Sequence, residues 1–84
     1  MKLIIDLETN GFLDKLDVIH CIVCKDIETK KVYSYNPDNL NDGLELLKKA
    51  TLLIGHNIQG FDLPAIKKVF NYEYKGEILD TLLC

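Results

Sequence analysis

The chain has 84 residues, 48% apolar and 27% charged, with a net charge of −3. That size allows one small domain, which buries about 60–65% of the surface its unfolded chain exposes. No stretch approaches the ~20 apolar residues of a membrane span, and the acidic balance argues against a basic nucleic-acid clamp.

Residues 2–8 alternate weakly and are rich in Leu and Ile, which predicts a core strand. Asp6 and Glu8 are two apart and so project from one face of it. Thr9-Asn10-Gly11 is turn chemistry. Residues 18–25 predict a second strand and Lys31 to Tyr35 a third, and the polar turn from Asp26 to Lys30 joins them as a hairpin. In the second strand Cys21 and Cys24 have the C-x-x-C spacing of a zinc site, but no second ligand pair follows. Alternation sends the two to opposite faces, so small buried hydrophobes are the better reading.

Asn36-Pro37-Asp38-Asn39 ends the hairpin. Leu40, Leu44 and Leu47 then recur at helical spacing, with Asp38 or Asn39 as cap candidate. Gly43 weakens this helix slightly, and Glu45 with Lys48 or Lys49 belongs to its wet face. Thr51-Leu52-Leu53-Ile54-Gly55 is the short, wholly apolar run expected of a buried strand parallel to a neighbour. Asp62 reads as the cap of a second helix whose first turn holds Pro64 and whose apolar stripe is Ile66, Val69 and Phe70. Asn71 to Gly76 predicts a loop, and residues 78–84 the first turns of a further helix. The order β-β-β-α-β-α predicts an α/β layer fold with a mixed sheet, in which a right-handed crossover sets strand four beside strand one. This order resembles the opening of an RNase H-like fold, and by that resemblance a last strand and helix are expected to be missing.

In that arrangement Asp6, Glu8 and Asp62 converge at the C-terminal edge of the strands, where open α/β sheets bind their ligands. Three acids on a rigid floor can hold Mg²⁺ or Mn²⁺, which take oxygen ligands. The arrangement points to metal-assisted cleavage of phosphodiester bonds, in which one cation would activate a water and the other stabilise the leaving oxygen. Taken singly the residues have plainer roles. Asp62 is then a helix cap and Asn57 a turn residue. His20 and His56 are structural histidines, and Phe61, Phe70 and Tyr33 belong to the core.

Asp6-x-Glu8 with His56-Asn57 and Phe61-Asp62 downstream resembles the first two motifs of the DEDD (DnaQ-like) 3′–5′ exonucleases. Ile19-His20-Cys21, the segment Tyr33 to Pro37, the run His56 to Ile66 and the pair Asp80-Thr81 resemble the branch found in family A DNA polymerases of T-odd podophages. The resemblance covers essentially the whole chain. It implies an RNase H-like proofreading domain with two Mg²⁺ or Mn²⁺ ions that removes nucleotides from a single-stranded DNA 3′ end. By position, it makes Asp6, Glu8 and Asp62 the catalytic metal ligands. Asn57 and Phe61 accompany the second motif, and Thr9 and Asn10 lie near the terminal nucleotide. Asp80 matches an acid outside the metal-binding set and reads as a helix cap. The family's third motif, with a fourth carboxylate and a Tyr or His that positions the water, has no counterpart before Cys84. The expectation is therefore residues 1–84 as a partial exonuclease domain, in the cytoplasm of a phage-infected bacterial cell. A non-catalytic module or split subunit that completes its fold and site with a polymerase or second chain is the alternative. A different RNase H-like nuclease is a third reading, and the spacing from Asn57 to Asp62 with Pro64 beyond it favours the exonuclease branch.

Overall fold

The computed structural model describes residues 1–11 and 18–82. In chain order the elements are β1 (Lys2–Thr9), β2 (Ile19–Asp26), β3 (Val32–Tyr35), α1 (Leu40–Lys49), β4 (Leu52–Gly55), a π-helical turn (Ile58–Asp62), α2 (Leu63–Phe70) and β5 (Glu77–Asp80). The strands form one mixed sheet in the order β3-β2-β1-β4-β5. β1–β2 and β2–β3 are antiparallel, while β1–β4 and β4–β5 are parallel. The α/β class, the meander and the parallel placement of strand four beside strand one therefore hold.

Alternation along β1 decides which side of the sheet is covered. Leu3, Ile5 and Leu7 are buried, and the residues between them are exposed. Cross-strand pairing carries the covered face to Ile22 and Cys24 on β2 and to Leu53 on β4. These side chains form one core with Leu46 and Leu47 of α1 and Ala65 and Ile66 of α2. Gly43 lets α1 approach β3: a Cβ there would stand 2.9 Å from the Tyr35 ring and 3.2 Å from Ile22 Cδ1. Cys24 lies in this core, where burial pushes its thiol up to about 12. Cys21 lies on the opposite face, level with Glu8, as strand alternation requires.

The opposite face carries Asp6 and Glu8 together with apolar side chains. Ile4 is 43% exposed, and Leu79 on β5 is 44% exposed. Register sets Ile54 between them, opposite Ile4 on one side and Leu79 on the other. Among the described residues no helix is long and apolar enough to cross a membrane.

One expectation at the C-terminal end is overturned. Residues 77–80 are a strand and not the start of a helix, because β4 offers Glu77, Ile78, Leu79 and Asp80 a parallel partner in register from Leu52 to Gly55. The sheet thus has a fifth strand that the predicted order lacked. Residues 83–84 of the predicted helix lie outside the described residues.

Candidate active site

β1 delivers Asp6 and Glu8 to the edge of the sheet. Ile4 pairs with Ile54, and β4 stops at Gly55, so Asp6 stands level with the point where β4 gives way to its loop. Both acids are exposed on the uncovered face. The β1–β2 register shifts between Glu8 and Thr9, and pairing resumes with Thr9 opposite Ile19. Thr9 Oγ1 donates to the Gly11 carbonyl at 2.8 Å. Asn10 Oδ1 accepts from the Val18 N–H at 3.3 Å, and the Asn10 N–H donates to the Val18 carbonyl at 3.3 Å. Beside Glu8 lies a cleft of about 480 Å³ lined by Leu7, Glu8, Thr9, Gly11 and Phe61. Phe61 also packs against the core, so it serves both the core and the cleft wall.

The loop after β4 turns sharply. Asn57 adopts the left-handed conformation, φ 60°, which Asn tolerates better than most residues. Its side-chain amide lies on Gly60, where any Cβ would collide with it. The Phe61 N–H donates to the Asn57 carbonyl at 2.9 Å, and the Leu63 N–H reaches back to Ile58. Pro64 has a physical part in this wide turn. It offers no N–H to Gly60, and its ring would press on that carbonyl in a regular α-helix. Single π turns inside helices recur at functional sites.

Asp62 is not the cap its position suggests. It has helical dihedrals and no side-chain capping bond, because the helical path has already begun at Ile58. The side chain is 6% exposed. Burial first, then the negative charges of Asp6 and of Asp80, push its carboxyl from 3.8 up to about 7. The fold has thus brought Asp6 and Asp62 near enough for their charges to repel. A hard divalent cation relieves that repulsion, and an all-carboxylate donor set suits Mg²⁺ or Mn²⁺. Among the described residues no three His, Cys, Asp or Glu side chains stand close enough to form a ligand group. Glu8 therefore shares the face of Asp6 without closing a three-acid cluster.

The cap of this helical segment comes from β5. Asp80 is buried; its Oδ1 accepts from the Asn57 N–H at 2.9 Å and the Leu82 N–H at 3.0 Å, and its Oδ2 accepts from the Gln59 N–H at 2.9 Å. Burial pushes the Asp80 carboxyl upward, but the N–H donors of Gln59, Leu82 and Asn57 and the charge of His56 outweigh it and hold the carboxyl below its ordinary value. His56 Nδ1 lies 3.1 Å from Thr81 Oγ1. Asp80 is a helix cap, but of the helix before it in sequence. No local pattern marks a cap that lies 21 residues from Gln59.

Known proteins resemble this chain along nearly all its length. Residues 3–82 match the family described as the RNase_H superfamily. The "DNA-directed DNA polymerase" of Enterobacteria phage T3 is 30% identical over 96% of this chain and 13% of its own length. The enzyme of the same description from Escherichia phage T7 is 28% identical over 93% of this chain and 13% of its own length. The chain therefore spans about an eighth of these relatives. Among solved structures, the family B DNA polymerase of the hyperthermophilic archaeon Pyrobaculum calidifontis superposes with a TM-score of 0.62. That match has 14% identity and covers 80% of this chain and 10% of the other, which speaks to the fold.

Proposed function

This chain belongs to the RNase_H superfamily, and from that premise we propose that it is part of a 3′–5′ exonuclease domain of a phage-type DNA polymerase, with single-stranded DNA 3′ ends as substrate. The observation that carries the reading is the Asp6–Asp62 pair. Asp6 stands at the end of parallel strands β1 and β4, and burial first, then the charges of Asp6 and Asp80, push the Asp62 carboxyl up to about 7. A carboxyl shifted by burial together with specific charged neighbours is a functional-site candidate.

Asp6 and Asp62 would hold Mg²⁺ or Mn²⁺, with Glu8 joining from the same face of β1. Bound there, the cations supply an activated water and charge stabilisation at the leaving oxygen. The cleft formed by Leu7, Thr9, Gly11 and Phe61 begins at Glu8. Its apolar wall suits the base of a terminal nucleotide, and an unpaired end can enter without the cost of unstacking a duplex. Thr9, which bonds to Gly11, lines this cleft, Asn10 bonds to Val18, and Asn57 shapes the turn that leads to Asp62. The relatives are several times longer than this chain, so further polymerase sequence is the proposed source of the remaining ligands. The cytoplasm of an infected bacterial cell is the matching location.

A second reading rests on the uncovered sheet face. Ile4 and Leu79 stand exposed beside Ile54, and exposed apolar groups clustered on a sheet suit a non-catalytic module that completes itself on a partner chain.

Digestion of 5′-labelled single-stranded DNA with Mn²⁺, beside Asp6→Ala with circular dichroism as a check of folding, separates the two. Stepwise shortening from the 3′ end that disappears in the variant supports the exonuclease. A folded chain that leaves DNA intact, and whose Mn²⁺ affinity is the same with or without Asp6, removes the metal-site reading.

A further inference from the structure

We propose that Asp80 is the positioning residue for Asp62: the end of β5 clamps the loop after β4 and thereby sets where the second acid of the site lies. This inference rests on the metal-site reading above. It begins with backbone groups that need partners. The first turn of any helix presents N–H groups with no acceptor inside the helix. Here Asn57 and Gln59 present theirs toward β5, and one carboxylate takes both, with one oxygen for each. The carboxylate is anchored at its other side by the Leu82 N–H.

The clamp is wider than one residue. Asp80 pairs with Gly55 in the β4–β5 register, so it stands directly beside the last residue of β4. Thr81 continues the contact, its N–H donating to the Gly55 carbonyl at 2.9 Å and its hydroxyl to the same carbonyl at 3.4 Å. His56, next in the loop, reaches the Thr81 hydroxyl through Nδ1 at 3.1 Å. Residues 55, 56, 57 and 59 are therefore all fastened to the end of one neighbouring strand. Only Gly60 and Phe61 separate the last fastened residue from Asp62.

The consequence concerns direction as well as stability. Asp62 sits in a turn that is wider than a regular α-helix and that follows a left-handed residue. Helical propensity does not specify such a path, so an external template has to. The packing of Ala65 and Ile66 in the core fixes α2 further along; Asp80 fixes the turn that precedes it. Groups that orient a metal-binding side chain typically matter about 10- to 100-fold in metal affinity.

The test is Mn²⁺ titration of the isotopically labelled full chain, followed by paramagnetic broadening of backbone amides in wild type and Asp80→Asn. The Asn side chain keeps the size but turns one acceptor into a donor that faces an N–H. The expected result is that wild type broadens at Asp6 and Asp62 together. In Asp80→Asn, with a well-dispersed folded spectrum, broadening at both acids needs about 10- to 100-fold more Mn²⁺. A structural cap alone would lower the melting temperature without changing the Mn²⁺ concentration at which the two acids broaden. Equal broadening of both acids at equal Mn²⁺ in the two proteins overturns the proposal. Wild type that shows no broadening at Asp6 overturns the metal-site reading, and the positioning role with it; the wild-type titration alone distinguishes this from the previous result. If Asp80→Asn does not fold, the same comparison on Asp80→Glu decides by the same criteria, since Glu keeps the charge and both acceptors one methylene further out.

Discussion

Replacing Asp62 by Asn should stabilise the metal-free protein at alkaline pH. In the unfolded chain this carboxyl ionises near 3.8, and in the folded chain near 7. Between those values the folded chain keeps a proton that the unfolded chain has released. The contribution of Asp62 to stability is therefore fully present below about pH 4 and is lost as pH rises through 7. The two values differ roughly a thousandfold in proton affinity, which corresponds to ~4 kcal/mol. Solvent that reaches the edge of the carboxylate reduces this to ~2–3 kcal/mol. Asn has the same shape and carries no charge, so the variant escapes the loss. Urea unfolding of both proteins with a chelator present, at pH 4 and pH 8, measures the difference. The variant should be more stable by ~2–3 kcal/mol at pH 8 and within about 1 kcal/mol of wild type at pH 4. Because only the difference between two proteins is read, acids that do not interact with Asp62 cancel. Equal stability at pH 8 would refute the claim that Asp62 is buried against Asp6 and Asp80 without charge compensation.

Three further outcomes follow from the same geometry. Mn²⁺ affinity, read by calorimetry, should rise about tenfold per pH unit below 7 and level off above it, since the metal competes with the proton on Asp62; an affinity flat between pH 5.5 and 7 would contradict this. Gly43→Val should cost about 1–3 kcal/mol in chemical denaturation through overpacking, because even a Cβ there would meet the Tyr35 ring at 2.9 Å. A thiol reagent at pH 8 should label Cys21, which is half-buried on the uncovered face, long before Cys24, whose thiol burial pushes up to about 12; residue-level mass spectrometry reads the order, and early labelling of Cys24 would place it outside the core.

Where the chain's own periodicity carries the information, local reading was sufficient. The period-two placement of Leu3, Ile5 and Leu7 against Asp6 and Glu8 holds in the folded strand, because alternation is a property of any extended chain. The apolar run from Leu52 to Gly55 became a strand between two parallel neighbours, with Leu53 and Gly55 buried and Leu52 and Ile54 half-buried. Turn chemistry from Asp26 to Lys30 closed the predicted hairpin, with Lys30 in the left-handed region and Asp26 accepting from the Glu28 and Thr29 N–H groups. The motifs carrying Asp6, Glu8 and Asp62 were visible in the same way, as residue types after apolar runs.

Other features depended on partners distant in sequence. Ile78 and Leu79 lie in an apolar run too short to distinguish helix from strand by period, and the open edge of β4 made the choice. Asp62 reads locally as a cap, yet the cap comes from Asp80, 21 residues from Gln59 and 23 from Asn57, and Asp62 sits buried where the charge of Asp6 reaches it. Neither the burial of that carboxyl nor its raised proton affinity has a local signature, because both arise from charges and surfaces assembled only when β1, β4 and β5 lie side by side. The sequence by itself determined which acids follow apolar runs and which segments would extend or coil. The tertiary structure alone decided which acids meet and what holds them there, since distance in space between residues far apart in the chain is set by packing and not by pattern.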